Sequence, residues 1–172
     1  SAKDEEGIRN IYCTHLTDSL WSAPALINEQ MTSSSDEIYP MLSPDGQSLY
    51  FASKGLYGMG GYDLYVSNWN SETNDWDMPV NMGFPYSSPY DDFLFVNTED
   101  GKYSIFASNR ECGRDSVTIY VLEYDSMPVR KAVSDVGELR ALAALDPAGD
   151  PSRINNGSTS SDNAQQDEGT KR

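Results

Sequence analysis

The sequence predicts an all-β chain of repeated four-stranded antiparallel units, followed by one short helix and a polar tail. Three observations carry this expectation. Self-comparison at an offset of 55 aligns Trp21–Val66 with Trp76–Val121, and twelve of the 46 positions are identical without a gap. Ordinary residue usage would give about three. Each copy holds short apolar runs separated by turn-forming residues, as strands joined by hairpins do. All 19 aromatic residues lie between Tyr12 and Tyr124, so the material for a pleated core is confined to the repeats.

Taken in order, Ile11-Tyr12 before Trp21 matches Leu64-Tyr65 before Trp76 with two residues fewer, and reads as the closing strand of a preceding unit. Ile38–Leu42 is an apolar run ended by Ser43-Pro44-Asp45-Gly46, a tight-turn sequence. Ser48–Ser53 is its hairpin partner. Lys54–Gly61 is a glycine-rich loop whose glycines are expected at positive φ. Tyr62–Trp69 resumes strand character with Tyr62, Leu64 and Val66 on one face. Trp76–Asn81 is a fourth short strand, with Pro79 marking an outer edge. The second unit repeats the pattern with Asp92–Val96, a turn at Glu99-Asp100-Gly101, Tyr103–Ser108 and Ser116–Glu123. Four strands in about 50 residues, closed by an Asp-Gly turn, is the sequence form of a β-propeller blade. Residues 8–125 are therefore expected to form a partial propeller, with repeat units at about 21–75 and 76–125 and a remnant of a third blade. Propellers typically need four to eight blades to cover their edges. Two leave faces and strand edges open to self-association, so the chain is expected to be part of a larger propeller.

Behind the repeats the material changes. Residues 126–149 read as a linker carrying a helix over about 134–145, where Val136, Leu139, Leu142 and Leu145 recur at helical spacing. Asp135 and Glu138 fit a capping box, and Pro147 enforces a stop. Residues 150–172 are polar with one aliphatic side chain; too little apolar surface is present to offset ordering entropy, which predicts a disordered tail.

The whole chain of 172 residues has 27 acidic and 12 basic side chains, a formal net charge of −15. Residues 1–126 hold 20 acidic and 6 basic side chains, net −14, so the charge belongs to the repeats. Such a surface lacks the basic footprint that replaces phosphate counterions, which argues against nucleic-acid binding. It also disfavours adsorption to an anionic membrane, and no apolar run is long enough for a transmembrane helix. Cys13 and Cys112 are too few for a disulfide framework or a zinc site.

Catalytic motifs are absent from the sequence. His15 is the one histidine, in a short connector with no recognisable nucleophile motif beside it. Neither G-x-S-x-G, H-E-x-x-H nor a P-loop occurs, and Gly55–Gly61 has no following helix or lysine to meet a phosphate. Asp45, Gly46, Asp100 and Gly101 read as turn residues. The acidic pairs Asp36-Glu37 and Asp91-Asp92 precede the first strand of each unit at equivalent positions. If that strand is innermost, the four carboxylates gather at one mouth of a central channel. There they could hold a hard cation such as calcium or receive a basic partner segment; alternatively they cap loop amides and keep the surface soluble.

Pro40 to Ser53 (PMLSPDGQSLYFAS) followed by Gly60-Gly61-Tyr62-Asp63-Leu64-Tyr65 resembles the TolB-like Pro-Asp propeller repeat of bacterial cell-envelope proteins. The Trp-x-x-Pro spacing at Trp21–Pro24 and Trp76–Pro79 resembles the variant found with OmpA-like, peptidoglycan-associated domains. The second unit departs in having Thr98-Glu99-Asp100-Gly101 in place of Ser-Pro-Asp-Gly. The resemblance implies a non-catalytic binding or scaffolding module of the periplasm or cell envelope, with protein partners that include peptidoglycan-associated ones. Similar propellers also gate substrates for serine peptidases or belong to carbohydrate-active enzymes, in which case catalysis lies outside these residues.

Overall fold

The computed structural model describes residues 1–113, 115–124 and 135–137. Among them the chain is all-β. Six two-residue strands open it: β1 (Ala2–Lys3), β2 (Arg9–Asn10), β3 (Tyr12–Cys13), β4 (Leu16–Thr17), β5 (Leu20–Trp21) and β6 (Ala25–Leu26). The first repeat unit follows with β7 (Glu37–Leu42), β8 (Ser48–Ser53), β9 (Asp63–Asn70), β10 (Asp75–Trp76) and β11 (Val80–Asn81). The second holds β12 (Asp92–Asn97), β13 (Tyr103–Ser108) and β14 (Thr118–Glu123). The run expected as one strand over Trp76–Asn81 is two, interrupted around Pro79, whose missing N–H cannot continue a ladder. A 3₁₀ turn at Glu29–Met31 is capped by Asn28, whose side chain accepts from the Gln30 N–H at 2.6 Å, and buries Met31.

Within each unit the order is antiparallel, β7-β8-β9 with β10 and β11 on the outer edge of β9, and β12-β13-β14. The register repeats at the offset of 55: Glu37 pairs with Ser53 as Asp92 pairs with Ser108, and Met41 pairs with Tyr50 as Val96 pairs with Ile105. Both first strands carry a bulge between those pairs, at Tyr39 (φ 53°) and Leu94 (φ 57°). An inserted residue with positive φ bends the strand and increases its twist; neither position is a glycine that would have signalled it. The Asp-Gly turns place Gly46 and Gly101 at φ 70° and 67°.

The N-terminal strands reproduce the second half of a unit at an offset of 53 or 55. Tyr12 pairs with Leu26 as Tyr65 pairs with Asn81, and Leu16 pairs with Trp21 as Trp69 pairs with Trp76. Even β1 has its counterpart: Ala2 pairs with Asn10 where Ser53 pairs with Asp63.

Alternation along β8 and β9 sends side chains to two apolar clusters on opposite faces of the first sheet. Leu49, Phe51 and Tyr65 join Ile11 and Met31 from the N-terminal segment. Ala52 and Leu64 join Phe95, Phe106 and Tyr120 of the second unit. Phe51, Leu64, Phe95 and Phe106 are all but inaccessible to water, and burying each such side chain contributes about 1.5–3 kcal/mol. The first sheet is thus sandwiched, and successive units are joined through their faces.

The short helix expected over about 134–145 is not borne out as an element of the fold: only Asp135–Gly137 of that span are described, and of these Val136 and Gly137 alone are helical. The rest of the 126–149 linker and the 150–172 tail lie outside the described residues. No helix among the described residues is long and apolar enough to cross a membrane.

Candidate functional site

The two acidic pairs divide their labour in the same way. Asp36 accepts the Arg9 N–H at 2.8 Å and the Tyr62 hydroxyl at 3.1 Å. Asp91 accepts the Tyr62 N–H at 3.0 Å and the Asn109 Nδ2 at 2.9 Å. Arg9 stands 53 residues before Tyr62 and Asp36 stands 55 before Asp91, so the same backbone-to-carboxylate bond ties each unit to the strand preceding it. The Arg9 N–H, more than any other group, lowers the Asp36 pKa; burial works against it, and the Tyr62 hydroxyl adds to it. Burial, reinforced by the Asp36 carboxylate, pushes the Tyr62 phenol up to about 12. The Arg9–Asp36 ion pair, at 3.5 Å and partly exposed, adds little.

The second member of each pair is buried. Glu37 accepts the Ser33 hydroxyl at 2.6 Å, the Ser53 hydroxyl at 2.9 Å and the Ser33 N–H at 3.3 Å. Asp92 accepts the Ser88 N–H and hydroxyl, each at 2.7 Å, and the Arg110 Nη2 at 2.5 Å. Arg110 also donates to the Pro85 carbonyl at 2.9 Å and to the Ser108 hydroxyl at 2.9 Å, and its guanidinium lies over the Phe106 and Tyr120 rings. The position equivalent to Arg110 in the first unit is Gly55, where an added Cβ would lie 1.9 Å from the Ser33 hydroxyl. That unit has no room for the arginine. Glu37 has one methylene more than Asp92 and reaches two serines, with no cation among its hydrogen-bond partners; burial raises its pKa against those donors. Asp63, buried at the start of β9, accepts the Met59 and Gly60 N–H groups at 2.8 and 3.0 Å. Burial pushes its pKa up despite them.

The glycine-rich loop differs from expectation. Gly55, Gly58, Gly60 and Gly61 are not at positive φ; they are small because neighbours come close. A Cβ on Gly60 would lie 2.4 Å from the Tyr90 carbonyl oxygen and 2.5 Å from that of Ser88, and one on Gly61 would lie 2.0 Å from Asp91 Oδ1. The loop is pressed against the connector that leads into the second unit. In the turns, Asp45 accepts from the Ser43 hydroxyl and the Gln47 N–H, and Asp100 from the Thr98 hydroxyl and the Lys102 N–H. The hydroxyl donors lead in lowering both pKa values.

All four predicted strand-start carboxylates are therefore engaged by protein donors, and two have no solvent exposure. Among the described residues no three His, Cys, Asp or Glu side chains converge as a metal site would require. His15 is exposed between β3 and β4, with Nε2 3.8 Å from the Cys13 sulfur; Cys13 and Cys112 are unbridged. His15 and Cys13 instead border a cleft of about 640 Å³ between the N-terminal strands and the first unit, lined there by Pro40, Met41, Leu42 and Leu49 and by Trp69 and Trp76. The lining is mostly apolar and belongs to no sequence motif, which is why motifs alone do not reveal it. Of the strand-start carboxylates, Asp36 and Asp91 bond across the join between successive units, and Glu37 and Asp92 bond within their own unit.

No family model matches the chain, and neither a curated protein nor a solved structure matches it.

Proposed function

We propose that the two units are blades of a larger β-propeller of the TolB-like Pro-Asp type, acting as a non-catalytic binding and scaffolding module of the bacterial cell envelope. One observation carries the reading. The bond from Arg9 to Asp36 recurs from Tyr62 to Asp91, so one join geometry is repeated between units, as a closed ring of blades requires. The apolar outer face of the second sheet also supports it. Ile119 and Val121 are more than half exposed, whereas Leu64, at the position matching Ile119 in the first unit, is buried against the second. A rigid stack of this kind works by display, with loops presented on a fixed scaffold and partners held by several contacts at once. Fractionation of the source cells with an antiserum against the chain is the test. Recovery with the envelope is the expected result; recovery solely in the cytosol contradicts it.

A further inference from the structure

The cleft beside His15 has the shape of a missing strand, and the chain displays elsewhere what fills it. In the first unit the inner edge of β9 is covered by β8, with Tyr50 opposite Val66 and Ala52 opposite Leu64. The positions equivalent to Val66 and Leu64 in the N-terminal segment are Cys13 and Ile11, each 53 residues earlier. On that edge β1 covers Arg9 and Asn10, its register carries Ser1 opposite Ile11, and the cleft runs on along Ile11, Tyr12 and Cys13. At the join between the two units, the Tyr50 ring packs on Phe95 with centroids 4.5 Å apart, and its hydroxyl accepts from Asn97 Nδ2 at 3.2 Å. The residues 55 earlier than Phe95 and Asn97 are Pro40 and Leu42, and both line the cleft.

We propose that this cleft is a docking groove for a β-hairpin of this repeat's own kind, whose second strand runs antiparallel to Tyr12–Cys13 in line with β1. The inference rests on the propeller reading, in which the hairpin belongs to a further repeat unit. The lining sets what the strand must carry. Opposite Ile11 the register of β1 already brings Ser1, small as Ala52 is opposite Leu64. Opposite Cys13 the residue is a large ring lying on Pro40. That ring bears no hydroxyl, because Leu42 replaces the asparagine that holds the hydroxyl of Tyr50, and a buried polar group without a partner is penalised. The free edge supplies main-chain hydrogen bonds and the side-chain pockets supply selection, the division of labour in strand addition.

The test uses the whole chain and a synthetic peptide with the sequence of residues 37–51, which ends where Ser1 begins to cover the edge, in three versions: Tyr50→Phe, unaltered, and Tyr50→Ala. Thiol labelling by a disulfide reagent reads Cys13 in the groove, with Cys112, on the second unit, as the internal control. The Tyr50→Phe peptide should slow Cys13 labelling at least fivefold at saturation and leave Cys112 unchanged. It should bind about tenfold more tightly than the unaltered peptide, with the Tyr50→Ala peptide weaker than both. An unchanged Cys13 rate at millimolar peptide overturns the groove, as does equal slowing by a scrambled sequence or a preference for Tyr over Phe. Because the location reading is scored by fractionation, a chain in the envelope with unprotected Cys13 fails the groove alone. A cytosolic chain with protected Cys13 fails the envelope reading alone.

Discussion

Replacing Arg110 with methionine should be among the most damaging single changes in the second unit. The Arg110 and Asp92 side chains are 1% and 0% exposed and meet at 2.5 Å. Arg110→Met leaves the Asp92 carboxylate with only the Ser88 donors and takes a donor from the carbonyls of Pro85 and Tyr86. Removing one partner of a buried ion pair costs about 3–5 kcal/mol. Unsatisfied carbonyls add to that, though not in simple sum. A net loss of about 4 kcal/mol is a large part of the roughly 5–15 kcal/mol that holds a domain folded, and corresponds to a fall in Tm of about 10–20 °C. Urea unfolding followed by tryptophan fluorescence measures it, with Trp69 and Trp76 in edge-to-face contact as the reporter pair. The double change with Asp92→Asn should recover at least about 1.5 kcal/mol relative to the sum of the single changes, since it removes the stranded charge. A loss below about 1 kcal/mol for Arg110→Met, or strict additivity in the cycle, would refute the reasoning.

The pH dependence has a definite sign at Glu37. Burial raises its pKa in the fold, so the native state keeps its proton to a higher pH than the unfolded chain does. Stability from this group is fullest below the unfolded carboxyl pKa and declines as pH rises through the folded one. Glu37→Gln should therefore flatten the fall in urea midpoint as pH rises above the ordinary carboxyl range; identical slopes contradict this. Gly60→Ala drives a Cβ into two backbone carbonyls and should cost about 2–4 kcal/mol, whereas Gly113→Ala, with nothing within 4 Å, should stay within about 0.5 kcal/mol in the same unfolding assay. Leu94→Asn, at φ 57° on a partly exposed bulge, should be neutral or stabilising by up to about 1 kcal/mol; a loss above that would mean the leucine contacts outweigh the backbone strain.

The hairpins were legible because their signals are local. Asp45-Gly46 and Asp100-Gly101 mark turns by chemistry that acts over four residues, and the 55-residue offset carried the strand register with it. The N-terminal segment was legible only in part. Its loop is two residues shorter than the one before β9, so the gapless comparison stopped short of Ala2–Lys3, which pairs as the end of β8 does. The fate of the acidic pairs was hidden because sequence shows charge and not burial. A usable signal existed: Ser33 and Ser53 recur as Ser88 and Ser108, and all but Ser108 donate to the buried carboxylates. Ser108 holds Arg110 instead, a substitution visible only once the Gly55 and Arg110 positions are compared in space. The bulges at Tyr39 and Leu94 left no mark, since neither residue is one that favours positive φ.

The most direct measurement of the central claim is the molar mass of the chain by light scattering across a concentration series, with folding confirmed on the same samples. If the units are blades of a larger propeller, as proposed, their open faces and strand edges should bring chains together, so the expected mass rises above the 19.1 kDa of one chain as concentration increases from about 1 to 100 μM. A folded chain that holds the single-chain mass across that range would contradict the claim that these units form an incomplete array.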